Sequence, residues 1–278
     1  MSKLRSGGSY AELEEIAALR ASELRPLLEP YIRITDQYGA LIGEVVLVLG
    51  TTSPQDDQDV AIRDLLADTF DFLYEARHFI IRGKPDIAYP LARRGYESLS
   101  LLVACHLDTK LAARWMAGKR VSNEDVRKVL AKHPKGESES ATRELCKAFS
   151  NISHPNRDAV AYRFLGEGNE FVLGSIGRPS LVLLADYALK TLDLWFWFGA
   201  VVVSAYFPTL YRVNPGILKT YDEAVEGAKA VSAWLTTQYN RVLADERAEM
   251  AKMAGPDDKR PGQFEAKGLD GRGYAIRF

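Results

Sequence analysis

Cysteine is scarce in this chain: 278 residues hold two of them, Cys105 and Cys146, each among apolar neighbours in a segment of helical pattern. That excludes a disulfide framework and predicts reduced, buried thiols in a cytoplasmic protein. Neither sign of charge is in excess, since 36 Lys and Arg face 37 Asp and Glu for a net charge of −1. No whole-molecule field draws in nucleic acid, so any such role needs a local basic patch. The residues before Ser9 lack the apolar core of a signal peptide. The most apolar run, Thr191 to Phe207, contains Asp193 and falls short of the about 20 apolar residues of a spanning helix. It is expected in the middle of a helical bundle, with no membrane span. P-loop, dinucleotide fingerprint, nucleophile elbow, HExxH and paired CxxC motifs are all missing. Those enzyme classes are excluded at motif level, and no cofactor is expected.

What is present is an ordinary globular balance, 47% hydrophobic and 26% charged, in a chain long enough for one large domain or two small ones. Residues 1–57 read as an N-terminal helical extension. Within it, a polar helix over 9–25 is interrupted by Pro26 and Pro30, and a mostly apolar run from Tyr31 to Leu49 ends at the loop Gly50 to Pro54. Residues 58–207 read as the helical core. Residues 58–82 have the clearest helical period, with Ile62, Leu65, Leu66, Phe70, Leu73 and Ala76 on one face. Gly83-Lys84-Pro85 closes that helix. Helices follow near 86–105, 110–116 and 123–132, the last with Ser122 and Asp125 as a cap pattern.

After a helix over 141–149 the pattern changes. Val160 to Leu165 and Glu170 to Ile176 flank a glycine-containing turn and read as a hairpin near 159–176. A long apolar helix follows over 180–206. Residues 208–252 read as a C-terminal helix packing on the core, and 253–278 as a flexible tail. The fold class expected is therefore mainly α, a helical bundle with one β-hairpin inserted between late core helices.

The densest polar stretch is Ser150, Asn151, Ile152, Ser153, His154, Pro155, Asn156, Arg157, directly after a helix. His154 is the candidate general acid or base, with Ser150, Asn151, Asn156 and Arg157 as binding neighbours. The bland reading is a helix terminator, with the serines and asparagine bonding backbone groups and Pro155 fixing the turn. On the earlier helix, Arg93 and Glu97 are spaced to pair on one face, and Arg93 or Arg94 facing His154 would bring a cation to a phosphate or an acidic partner. Asp64, Asp68 and Asp71 share one side of a helix, but no histidine stands at ligand spacing, so no metal is expected.

An acidic helix ending in Gly83-Lys84-Pro85, then Arg93, Arg94 and Glu97, then a helix ending in Ser150 to Pro155, together resemble the HEPN-like helical superfamily over roughly residues 58–207. The resemblance implies a homodimer joined through apolar helix faces and a setting in bacterial stress or defence, with an RNA or protein partner. It also implies an active-site pattern of arginine, short spacer and histidine, the histidine moving a proton and the arginine stabilising charge on a scissile phosphate. Counting back from His154, the allowed arginine positions hold Lys147, Ala148 and Phe149. Only Lys147 is cationic, and it lacks the planar guanidinium fork. Arg127 and His133 match the spacing literally, but His133 falls in a loop before Pro134. The leading expectation is a catalytically silent scaffold that binds RNA or protein. The alternatives are a metal-independent endoribonuclease, with His154 as acid/base and Lys147, Arg93 or Arg157 as charge stabiliser, and a membrane-associated sensor acting through 191–207.

Overall fold

The computed structural model describes residues 9–132, 181–253, 263–267 and 273–277. A capping box opens the first helix: Ser9 Oγ accepts from the Glu12 N–H, and the Glu12 carboxylate accepts from the Ser9 N–H. This helix, α1, then runs unbroken from Tyr10 to Gly50. The expected interruption at Pro26 and Pro30 is corrected, because both prolines lie inside α1. Each proline costs about 3 kcal/mol or more in a helix interior. The carbonyls they leave unpaired belong to Ser22 and Pro26, both exposed, where water can satisfy them. Around and beyond them Leu24, Leu28, Tyr31, Ile32, Ile34 and Tyr38 are all buried. At about 1.5–3 kcal/mol per large apolar side chain, that burial outweighs the local loss.

The next two helices, α2 (Asp57–Ile81) and α3 (Pro85–Leu107), are joined by the predicted glycine turn. Gly83 takes φ 69°, its N–H donates to the Ile80 carbonyl, and the Lys84 N–H donates to the Phe79 carbonyl. That left-handed residue is where glycine is favoured and where a Cβ would be strained. Two short helices follow, α4 (Thr109–Met116) and α5 (Asn123–Leu130). Ser122 and Asp125 form a reciprocal capping box at the start of α5, in line with their spacing. Two long helices complete the bundle, α6 (Leu181–Val213) and α7 (Gly216–Met253). α6 outruns its expected end because Pro208 and Ser204, whose carbonyl the proline leaves unpaired, are both exposed.

Side-chain pairs give the directions. Tyr31 and Tyr38 of α1 meet Thr191 and Gly199 of α6, so those helices run parallel. α2 runs against both, since Arg77 bonds Thr35 while Arg63 bonds Leu49, and Phe70 meets Trp195 while Asp59 meets Tyr206. α3 runs with α6 through Tyr89–Tyr187 and Tyr96–Trp197. α6 is thus the central element, in contact with α1, α2, α3 and α7. By length and composition its stretch Leu184–Val213 could cross a membrane, and 44% of its most apolar 18-residue window is buried inside the protein.

The expected architecture with a hairpin between late core helices is corrected. Among the described residues no strand lies within the helical body; the segment 159–176 itself falls outside them. The described strands are β1 (Gln263–Lys267) and β2 (Gly273–Arg277), paired antiparallel beyond α7 in the stretch read as a tail. The described body is built helix on helix, with α6 packed against α1, α2, α3 and α7, and short alternating runs are too weak a signal to place a sheet layer within it.

Two glycines test this packing with opposite signs. A Cβ on Gly199 would lie 2.8 Å from the Tyr38 ring, whereas one on Gly43 would meet nothing within 4 Å. Gly43→Ala is expected to stabilise by about 0.5–1 kcal/mol through helix propensity. Gly199→Ala is expected to destabilise by about 1–2 kcal/mol, because overpacking against a buried ring exceeds that gain. Urea unfolding of both variants checks the sign.

Candidate functional site

Of the residues singled out from the sequence, Arg93, Arg94, Glu97, Asp64, Asp68, Asp71, Cys105 and Arg127 are described, the last with its Nε buried and unpaired among the described residues. Lys147, Ser150, Asn151, His154, Asn156 and Arg157 lie outside the described residues, as does His133, the partner of Arg127. Arg93 and Glu97 do pair: Nε lies 3.1 Å from Oε1, with the side chains 26% and 24% exposed. Arg94 turns to the other side of α3. Its guanidinium lies over the Phe72 ring, 5.5 Å from the centroid, and 3.7 Å from the Asp68 carboxylate, which also accepts from the Ser98 hydroxyl. The two adjacent arginines therefore serve different faces, and each has a carboxylate partner.

Arg93 belongs to a seam between α3 and α6. Tyr89, Arg93, Tyr96 and Glu97 recur at helical spacing on α3. Facing them on α6 are Tyr187, Lys190 and Trp197, with Tyr89–Tyr187 centroids 4.7 Å apart and Tyr96–Trp197 centroids 6.0 Å apart. Lys190 pairs with Asp186 at 2.5 Å and lies over the rings of Tyr89 and Tyr187. Asp193, one turn on, has its carboxyl pushed above the usual range by surrounding protein. The seam holds charges of both signs rather than a basic strip. Lys190 is a cation already held by a carboxylate and two π faces.

A denser constellation, which the sequence reading passed over, joins α1, α2 and α6. Arg63 uses all five of its guanidinium hydrogens. Nε donates to Asp59 Oδ1 at 3.2 Å, one terminal nitrogen to the Leu49 and Thr52 carbonyls at 2.8 Å each, and the other to Thr52 Oγ1 and Asp59 Oδ2 at 3.1 Å each. Asp59 is equally saturated, accepting also from Tyr206 Oη at 2.7 Å and from the Gln55 N–H at 3.0 Å. The only local signal for this was the i,i+4 spacing of Asp59 and Arg63; every other partner comes from another element. Arg63 thereby ties off the C-terminal carbonyls of α1, and a guanidinium with no hydrogen left has nothing to offer a phosphate.

Desolvation acts to raise the Asp59 carboxyl, but the hydrogen bonds from Arg63, Tyr206 and the Gln55 N–H, with the charge of Arg63, hold it below the ordinary range. A carboxyl lowered in the folded state binds fewer protons there than when unfolded. Its contribution is full above the unfolded value of about 3.9 and is lost as pH falls through the lower folded value. Stability is expected to drop below about pH 4 and to drop less steeply in Asp59→Asn. Denaturant midpoints measured across that range for both proteins check this.

Beside Arg63, α1 and α2 part to form an open furrow of about 460 Å³ lined by Ile42, Gly43, Val46, Leu66, Ala67 and Phe70, with Asp71 at its mouth. The lining is almost wholly apolar. Its size suits a bound group, but polar side chains do not converge on it as chemistry would need. Cys105 is buried at the α2-facing end of α3, and burial followed by the nearby Asp108 charge pushes its thiol up to about 12. That matches the expected free, buried thiol; Cys146 is outside the described residues. Among the described residues no three His, Cys, Asp or Glu side chains are grouped to hold a metal ion. No protein-family model, curated protein or solved structure matches the chain.

Proposed function

We propose that this protein is a catalytically silent helical scaffold of HEPN-like kind that binds an RNA or protein partner, in a bacterial stress or defence setting by resemblance. The observation that supports this most is the state of Arg93: its guanidinium is paired with Glu97 one turn away on the same helix. Stabilising a scissile phosphate needs a cation whose field is aimed at the developing charge, and a carboxylate 3.1 Å away cancels much of that field. Lys147 at the arginine position adds a second departure from the nuclease pattern.

A metal-independent endoribonuclease using His154 with Lys147 and Arg93 is the competing reading, favoured by the half-buried position of Arg93 on α3. Incubating the protein with mixed RNA in chelator, beside His154→Ala, separates the two. Intact RNA with both proteins is expected. Cleavage by the wild type that His154→Ala abolishes would overturn the scaffold reading. A melting temperature lowered by several degrees in His154→Ala, with RNA intact throughout, would mark the histidine as a structural terminator.

A further inference from the structure

The furrow between α1 and α2 is bounded at both ends by the two arginine ties. Arg63 holds one end, and at the other Arg77 Nε donates to Thr35 Oγ1 at 2.7 Å while its terminal nitrogen pairs with Asp36. Between these ties the helices do not close. Gly39, Gly43 and Gly50 recur along the open side of α1, and a Cβ on any of them would meet nothing within 4 Å. The span from Gly39 to Gly50 is roughly 16 Å, about three helical turns. On the opposite wall Phe70, Tyr74 and His78 form a ladder, their successive centroids 6.1 and 6.5 Å apart. Leu47 is 74% exposed, Tyr74 48% and Val46 47%, so an apolar strip continues out of the furrow onto the surface, as at a contact site.

The charges around this strip that have no ion-pair partner among the described residues include a row of carboxylates. Asp64, Asp71 and Glu75 are exposed on α2 at helical spacing along one edge, and none of them has an ion-pair partner among the described residues. The nearby cations are committed, Arg63 to its five bonds and Arg77 to Thr35 and Asp36. Burial, then Arg82, with Arg77, lower the pKa of His78 against the opposing Glu75. An anionic membrane surface or a nucleic acid would meet a negative edge here.

We propose that the α1–α2 furrow is a docking groove for a cationic amphipathic helix of a partner protein. The occupant lays its apolar face on the glycine-floored strip and its Lys or Arg residues along Asp64, Asp71 and Glu75. A furrow open to the surface and continuous with an exposed apolar strip fits a helix better than a small molecule, which is normally enclosed on most of its surface. The glycines let the partner backbone approach closely, because no side chain stands between. This inference rests on the binding-scaffold reading and names the chemistry of one of its partners.

The probe is a fluorescent helical peptide of about 14 residues, built from Leu on one face and Lys on the other, with a Leu/Glu counterpart as control. Fluorescence anisotropy is expected to show binding of the Leu/Lys peptide that weakens with salt, and no binding of the Leu/Glu peptide. Gly43→Leu fills the floor, Asp71→Lys reverses the edge, and each is expected to weaken binding at least about tenfold. Thermal melts establish that both variants fold, which the open space at Gly43 and the exposure of Asp71 predict. Equal binding by the variants, equal binding of the Leu/Glu peptide, or no binding at all overturns the proposal. So does a dimer, seen by light scattering, that Gly43→Leu converts to monomer, because the occupant is then a second copy. Failure of the peptide assay leaves the RNA result untouched, so the groove and the scaffold reading fail separately.

Discussion

Arg63→Ala is expected to lower the melting temperature by roughly 6–12 °C, the equivalent of about 3 kcal/mol in a domain of this size. Truncation removes five hydrogen bonds at once and leaves three kinds of group with fewer partners. Asp59 keeps only Tyr206 and the Gln55 N–H, with its side chain 13% exposed. The Leu49 and Thr52 carbonyls lose the cation at the C-terminal end of α1, where helix carbonyls are orphaned by geometry. A carboxylate stranded in a wholly buried site costs about 3–5 kcal/mol. The 20% exposure of the Arg63 side chain argues for the lower end. Arg63→Lys should recover little, since a point charge cannot reach two carbonyls, a hydroxyl and both carboxylate oxygens together. Thermal melts of the two variants at neutral pH measure this. A shift within 2 °C of wild type would mean that the guanidinium network adds almost nothing to the joint between α1, α2 and α6.

The second large effect concerns the centre of the bundle. Trp195→Ala is expected to destabilise by about 3–5 kcal/mol. The ring is 1% exposed, stands edge-on to Phe70 at 5.8 Å and packs at 6.3 Å from Phe198. Its loss leaves a cavity where α2 and α6 pack against each other. Trp195→Phe is the informative partner. The indole Nε1 is buried without a hydrogen-bond partner, and an unpaired buried donor carries a desolvation cost of about 1–3 kcal/mol. Phenylalanine removes that donor along with part of the ring. It should retain more than half of the stability that alanine forfeits. Urea midpoints at constant slope give both values; equal losses in the two variants would show that the N–H has a partner of its own.

Much of the helical framework was legible because its signals are local. Ser122 with Asp125, Gly83 before Pro85, and the apolar face from Ile62 to Ala76 each act within one or two turns, and each marks a real boundary or buried stripe. The breaks expected at Pro26 and Pro30 were not real, because the proline cost is local while the burial of Tyr31 and Tyr38 against α6 comes from residues more than a hundred positions away. The same distinction runs through the candidate site. The Arg93–Glu97 pair could be read from an i,i+4 spacing. The Arg94–Asp68 pair depends on the register of α2 against α3, which no spacing within one helix encodes. The Arg63 network needed Tyr206, far along the chain, and carbonyls at the end of α1. The furrow was invisible for another reason: the open space over Gly39, Gly43 and Gly50 depends on how α1 and α2 pack, which no pattern within α1 encodes. The hairpin expectation rested on short alternating runs, a signal that cannot by itself place a layer within a bundle.

On the scaffold reading, Arg63, Arg93, Arg94 and Lys190 are each held by a carboxylate of the protein itself and perform no phosphate chemistry. The most direct measurement is a titration of end-labelled RNA with the wild type and Arg93→Ala in chelator, read in one gel for both mobility and strand integrity. RNA of unchanged length at every protein concentration, with both proteins, is the predicted result. Shortened products from the wild type that vanish with Arg93→Ala would contradict the claim, because they would make the Glu97-paired guanidinium part of a cleaving site.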